Sequence, residues 1–261
     1  MDREKIIGLE NISKNFGHIQ ALKNINIDIY KGEIISIVGD NGSGKSTLIK
    51  ILSGLHEPDS GNILIGNRKY KKLSPRISIK EGISTVYQDL ALDNYKNSVE
   101  NIFLGNEMVK YTIFLDKKSM NIEAQRLLDS LNINIKDIQV PVGYLSGGQR
   151  QSIAIARAIH QNNDVIIFDE PTAAMGIKET SATMELIKKL NKYGKTIIVI
   201  SHNINSVYDV SDRVYIMRNG NVISEVKPSE SSINDIISLI MKNEIGESAG
   251  DLSEKRYMDE S

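Results

Sequence analysis

The chain of 261 residues contains no cysteine. Disulfide frameworks, thiolate zinc sites, iron–sulfur clusters and thiol nucleophiles are thereby excluded, and a reducing cytosol is the compartment that fits. An excess of either charge is also missing: 32 Lys and Arg stand against 33 Asp and Glu, a net charge of −1. Without a basic surplus there is no electrostatic footprint for gripping a phosphate backbone, so no nucleic-acid partner is expected. Long apolar runs are absent too. Val165-Ile166-Ile167-Phe168 is typical of the longest, far short of the roughly 18 residues that a membrane span requires. The opening Met1-Asp2-Arg3-Glu4-Lys5 is charged and leads into no signal-peptide core. Any membrane contact is expected to run through a partner.

What remains is an ordinary globular composition, 40% hydrophobic and 25% charged, enough for one domain or one domain with a sizeable insertion. Ile6 to Tyr30 reads as strands, with Ile25, Ile27 and Ile29 at period two. Strand–helix alternation follows: Ile34–Val38 then Lys45–Leu52, Val165–Phe168 then Ile177–Lys192, and a strand at Thr196–Ile200. A short strand is expected at Asn62–Ile65, helices at Ile122–Leu131, Gln149–His160 and Ser232–Lys242, and a hairpin turn at Asn219-Gly220. Few strand signals lie between Leu92 and Gly143. The pattern is an α/β domain with a helical insertion and a β-rich start and end.

Chemistry concentrates at the ends of the strands. Gly39-Asp40-Asn41-Gly42-Ser43-Gly44-Lys45-Ser46, followed by Thr47, matches a complete phosphate loop between a strand and a helix. Its glycines let backbone N–H groups turn toward a polyphosphate, and the helix adds the positive end of its dipole. Lys45 is placed for the β- and γ-phosphates and the Ser46 hydroxyl for Mg²⁺. Val165–Phe168 ends in Asp169-Glu170. Two carboxylates closing a strand buried on both faces are costly unless they meet a cation or act as a base. Asp169 is the expected Mg²⁺ partner; Glu170, pointing the other way, is the expected base for water. Two further strands run into Gln88 and His202, which places an amide oxygen and a donor on the same rim. Ser146-Gly147-Gly148-Gln149 opens another helix, with Ser146 as N-cap, and reads as a second anion-binding turn or as a plain helix start.

Together these residues resemble the nucleotide-binding subunits of ATP-binding cassette (ABC) transporters, whose Leu-Ser-Gly-Gly-Gln signature stands intact at 145–149. The resemblance covers roughly residues 6 to 240, with the motifs in family order. It implies a P-loop NTPase core with a mostly parallel sheet, an N-terminal antiparallel β subdomain and a helical insertion subdomain at about 92–160. The implied domain is 1–245, and 246–261 is expected to be a disordered polar tail. The resemblance further implies an ATP hydrolase on the cytoplasmic face of a membrane. There, two cassettes, identical or different, close head to tail, so that Ser146, Gly147, Gly148 and Gln149 meet the ATP of the partner chain. It implies adenine stacking at Phe16, integral membrane permease subunits and a solute-binding protein.

Gly176 stands where the family usually has Asp, and the ending Glu-Pro-Thr-Ala-Ala-x-Gly looks like the ribose, fructose and xylose importers. A monosaccharide is the expected cargo; amino acids or lipids are alternatives. A P-loop kinase would need an acceptor pocket and no signature. A ribosomal or DNA-repair cassette would need paired cassettes or long coiled coils, and an ATP-gated scaffold would have no use for Glu170 and His202.

Overall fold

A computed structural model describes residues 3–240 apart from 112 and 174. The expected tail, and the end of the helix expected at Ser232–Lys242, lie outside the described residues. Strands β1 (Lys5–Phe16) and β2 (Ile19–Tyr30) form a long hairpin, and β3 (Ile34–Val38) runs through the glycine-rich loop into α1 (Lys45–Leu52). Next come β4 (Ser60–Ile65), β5 (Arg68–Tyr70), α2 (Pro75–Lys80) and β6 (Ile83–Val86). Helix α3 (Ser98–Phe103), a ribbon of β7 (Val109–Lys110) and β8 (Phe114–Leu115), α4 (Lys117–Ser130) and α5 (Gly147–His160) make the helical stretch. Alternation resumes with β9 (Val165–Asp169), α6 (Ile177–Lys192), β10 (Thr196–Ser201) and α7 (Ile204–Val207). A hairpin of β11 (Arg213–Arg218) and β12 (Asn221–Val226) and a helix over 233–240 follow.

The antiparallel layer has the order β2-β1-β4-β5, and the six-stranded sheet has the order β12-β11-β3-β10-β9-β6. In the second sheet only the edge strand β12 is antiparallel to its neighbour. Parallel strands buried on both faces read as continuous apolar runs, and here alternate residues feed two cores. Ile34, Val38, Ile166, Phe168, Ile197 and Val199 pack with α3 to α6. Ile35, Ile37, Val165, Ile167, Ile198 and Ile200 pack with α1 and the antiparallel layer. Ile166 is fully buried, so Ile166→Val is expected to cost about 1 kcal/mol; equilibrium urea unfolding checks it.

Register fixes where the site is. Val86 and Val199 both stand beside Phe168, and Ser201 stands beside Val38. The carboxyl ends of β3, β6, β9 and β10 therefore finish at one level, which is where open parallel sheets present their ligand groups.

Candidate functional site

The phosphate loop is held from behind by the antiparallel layer and by the β11–β12 turn. The Lys23 amide donates to the Gly220 carbonyl (2.7 Å) and the Gly220 amide to the Ser43 carbonyl (3.1 Å). That packing is why the glycines are needed. A Cβ at Gly39 would lie 2.1 Å from the Met217 carbonyl oxygen, and one at Gly44 would lie 2.6 Å from that of Ala21. Gly44 also sits at φ +106 as the N-cap of α1, with no side chain capping the helix, so the first-turn amides face the loop unoccupied by a local acceptor. Lys45 Nζ donates to the Gly39 and Asp40 carbonyls, at 2.6 and 2.8 Å. Burial lowers its pKa, against the pull of Glu170, Asp40 and Asp169. Asn41, Gly42, Gly44, Lys45, Ser46, Thr47, Gln88 and Glu170 line one cleft of about 640 Å³. Ser43 is buried beneath the loop.

Glu170 is where strand alternation stops governing the geometry. Strand β9 ends at Asp169, and Glu170 adopts φ +50, a left-handed conformation unusual for a non-glycine residue and typical of functional turns. Its amide donates to the Ile200 carbonyl (3.0 Å), and its carbonyl accepts from Ala173 (3.1 Å). Its side chain is 13% exposed and meets His202 Nδ1 at 2.8 Å. The left-handed turn, rather than the strand pleat, aims the carboxylate into the cleft.

Asp169 has its pKa raised, chiefly by burial and then by the neighbouring Glu170 charge, with Lys50 and Lys45 opposing. A carboxyl that is harder to ionise when folded than when unfolded stabilises the fold at low pH, and that contribution is lost as pH rises through the raised value. Asp169→Asn is therefore expected to melt higher than the parent without nucleotide, the gap growing as pH rises above the ordinary carboxylate value of about 4; thermal melts over a pH series check it. The donor set of Ser46, Gln88 and Asp169 is all oxygen and suits a hard cation such as Mg²⁺.

The signature turn stands apart. Ser146 caps α5 through a capping box, its Oγ accepting from the Gln149 amide (3.3 Å) while Gln149 Oε1 accepts from the Ser146 amide (3.0 Å). Ser146, Gly148 and Gln149 line a separate cleft of about 270 Å³ that shares no residue with the first. The chain thus gathers the phosphate loop, Gln88, Asp169, Glu170 and His202 at one rim and leaves the signature elsewhere. Phe16 is 44% exposed and sits edge-on to His56, 5.4 Å between centroids. It does not line the cleft; its cross-strand partner Ile19 does. Sequence reasoning missed the other cleft residues Gln20, Ala21, Lys23 and Asn219. The only signal for them was the Asn219-Gly220 turn, with both residues at positive φ. A larger cleft of about 1140 Å³ lies between β2 and the β11–β12 hairpin, beside the Arg213–Glu33 and Arg213–Glu225 ion pairs, and holds none of these groups.

A family model described as ABC transporter matches residues 22–173. The xylose/arabinose import ATP-binding protein XylG of Sulfolobus acidocaldarius is 41% identical over 251 residues, 96% of this chain and 99% of that protein. The fructose import ATP-binding protein FrcA of Rhizobium meliloti is 38% identical over 92% of this chain and 95% of that protein. Among solved structures, a nucleotide-free ATP-binding cassette from an ABC transporter superposes with a TM-score of 0.80 at 29% identity, covering 90% of this chain and 95% of that one. A dimeric cassette in a post-hydrolysis state, bound to ADP and Pi, gives 0.75 at 33% identity, covering 85% and 99%.

Proposed function

The chain belongs to the ABC transporter family, and from that premise we propose that two such chains bind ATP between them and hydrolyse it to drive import of a monosaccharide through separate membrane subunits. The observation that carries this is the separation of two features on one chain: the phosphate loop lines one cleft beside Glu170, and the signature turn lines a different one. A second chain, turned head to tail, brings its Ser146-Gly147-Gly148 turn to the open side of the nucleotide.

Each residue then has a task. Lys45 exchanges its hold on the Gly39 and Asp40 carbonyls for phosphate oxygens, and the open first turn of α1 adds amide donors. Ser46, Gln88 and Asp169 would hold Mg²⁺, which when bound neutralises charge on the β- and γ-phosphates. Glu170 takes a proton as water oxygen bonds to the γ-phosphorus and the bond to the β-phosphate oxygen breaks, leaving ADP and phosphate. His202 holds the Glu170 carboxylate in place and offers a donor to the γ-phosphate. Phe16 offers its exposed ring to adenine.

Passage of the solute falls to separate permease subunits on whose cytoplasmic side the cassette sits, with a solute-binding protein supplying cargo. No helix among the described residues is long and apolar enough to cross a membrane. The Gly176 ending and relatives whose names include xylose/arabinose and fructose import support a pentose or fructose as cargo. Phosphate release from ATP with no acceptor present is expected, which a P-loop kinase would not give. Disrupting the gene in its source cells should abolish uptake of at least one labelled sugar among xylose, arabinose, ribose and fructose. Intact uptake of all four would remove the sugar assignment.

A further inference from the structure

Gly148, in the signature turn, and Gly176, at the start of α6, share one neighbour. A Cβ built on Gly176 would lie 2.6 Å from Glu179 Oε2, and one on Gly148 would lie 3.3 Å from Glu179 Cγ. The side chain of Glu179 therefore folds back across its own helix start, laying its stem on the signature turn and its carboxylate over Gly176. Gly176 is the N-cap of α6 but has no side chain to cap it. A carboxylate in the first turn is favoured there by the field of the helix N-terminus. Glu179 also lines the signature cleft with Ser146, Gly148 and Gln149. In the chain, Gly176 stands six residues after Glu170.

We propose that Glu179 is a positioning residue of the composite site, tying the signature turn to the loop that leaves Glu170, so that both reach the two-chain interface as one unit. This rests on the two-chain reading above. The glycine at 176 is part of the device, because any side chain there displaces the carboxylate.

The test uses the full chain in a Glu170→Gln background, with ATP and Mg²⁺, and reads dimer fraction by analytical ultracentrifugation. Glu179→Ala and Gly176→Ala are each expected to raise the ATP concentration for half-maximal dimer about fivefold to tenfold, with the double variant no worse than either alone, as for residues acting through one contact. Glu179→Gln, which keeps the stem and a planar polar end, should recover most of the loss. Binding of a fluorescent ATP analogue to the dilute single chain should not change, because Glu179 is not in the phosphate-loop cleft. Because Glu179 is exposed, its variants should keep the parental circular dichroism. If the background chain dimerises and both alanine variants match it within about twofold, or their effects add, the inference is overturned. A background chain that binds the analogue and stays monomeric with ATP would instead remove the two-chain reading, and the inference with it.

Discussion

Glu170→Gln should bind ATP as tightly as the parent yet release phosphate at least a hundredfold more slowly, on the order of the 10²–10⁴ supplied by a positioned general base. Several features make this a clean test. The amide keeps the shape of the side chain and its contact with His202, and the left-handed turn at 170 is fixed by backbone bonds to Ile200 and Ala173 rather than by the carboxylate. What is lost is the ability to take a proton. Calorimetric affinity for ATP and phosphate release under single-turnover conditions separate the two. Unchanged phosphate release would place the base elsewhere. Loss of binding would mean that Glu170 holds the loop rather than serving the chemistry.

Lys45→Ala should fail one step earlier. Its ammonium is sunk among the backbone carbonyls of the loop it serves, and a charged donor to phosphate contributes about 1.5–3 kcal/mol. Affinity for ATP should fall about tenfold to a hundredfold, with AMP, which lacks the outer phosphates, far less affected. Equal losses for ATP and AMP would show that the substitution collapsed the loop instead of removing a phosphate contact. The pair of variants thus divides nucleotide capture from hydrolysis: Lys45 governs the first, Glu170 the second.

Much of this was legible before the structure, and the exceptions follow a rule. Helices α1 and α6 begin and end where the residues indicated, since Gly44, Gly176 and Gly194 punctuate them and eight or more residues suffice to show a 3.6-residue period. Helices α2 and α3, six residues each, are too short to show that period and are betrayed only by their caps, Ser74 and Asn97. Helix α4 starts at Lys117 rather than Ile122 because Asp116 caps it; its first turn is polar, so hydrophobic spacing passed over it. The two-residue strands of the β7–β8 ribbon have no pattern to read.

The site divides the same way. Lys45, Ser46, Asp169, Gln88 and His202 stand at strand ends that register aligns, and local motifs mark them. Lys23, Asn219 and Glu179 owe their places to contacts between elements far apart in the chain, which no local pattern encodes. Nor did strand alternation foresee φ +50 at Glu170.

The central claim, that each ATP is handled by the phosphate loop of one chain and the signature of another, is tested most directly by mixing two disabled chains. Lys45→Ala lacks a working phosphate loop; Ser146→Arg blocks the signature turn. At an ATP concentration that fills the parental loop but lies well below what the Lys45→Ala loop needs, each alone should release little phosphate. An equal mixture forms some dimers with one intact site, and should recover about a quarter of the parental rate if sites act independently, as a head-to-tail interface allows. A mixture as inactive as its components, with mixed dimers present, or Ser146→Arg fully active by itself, would contradict the account.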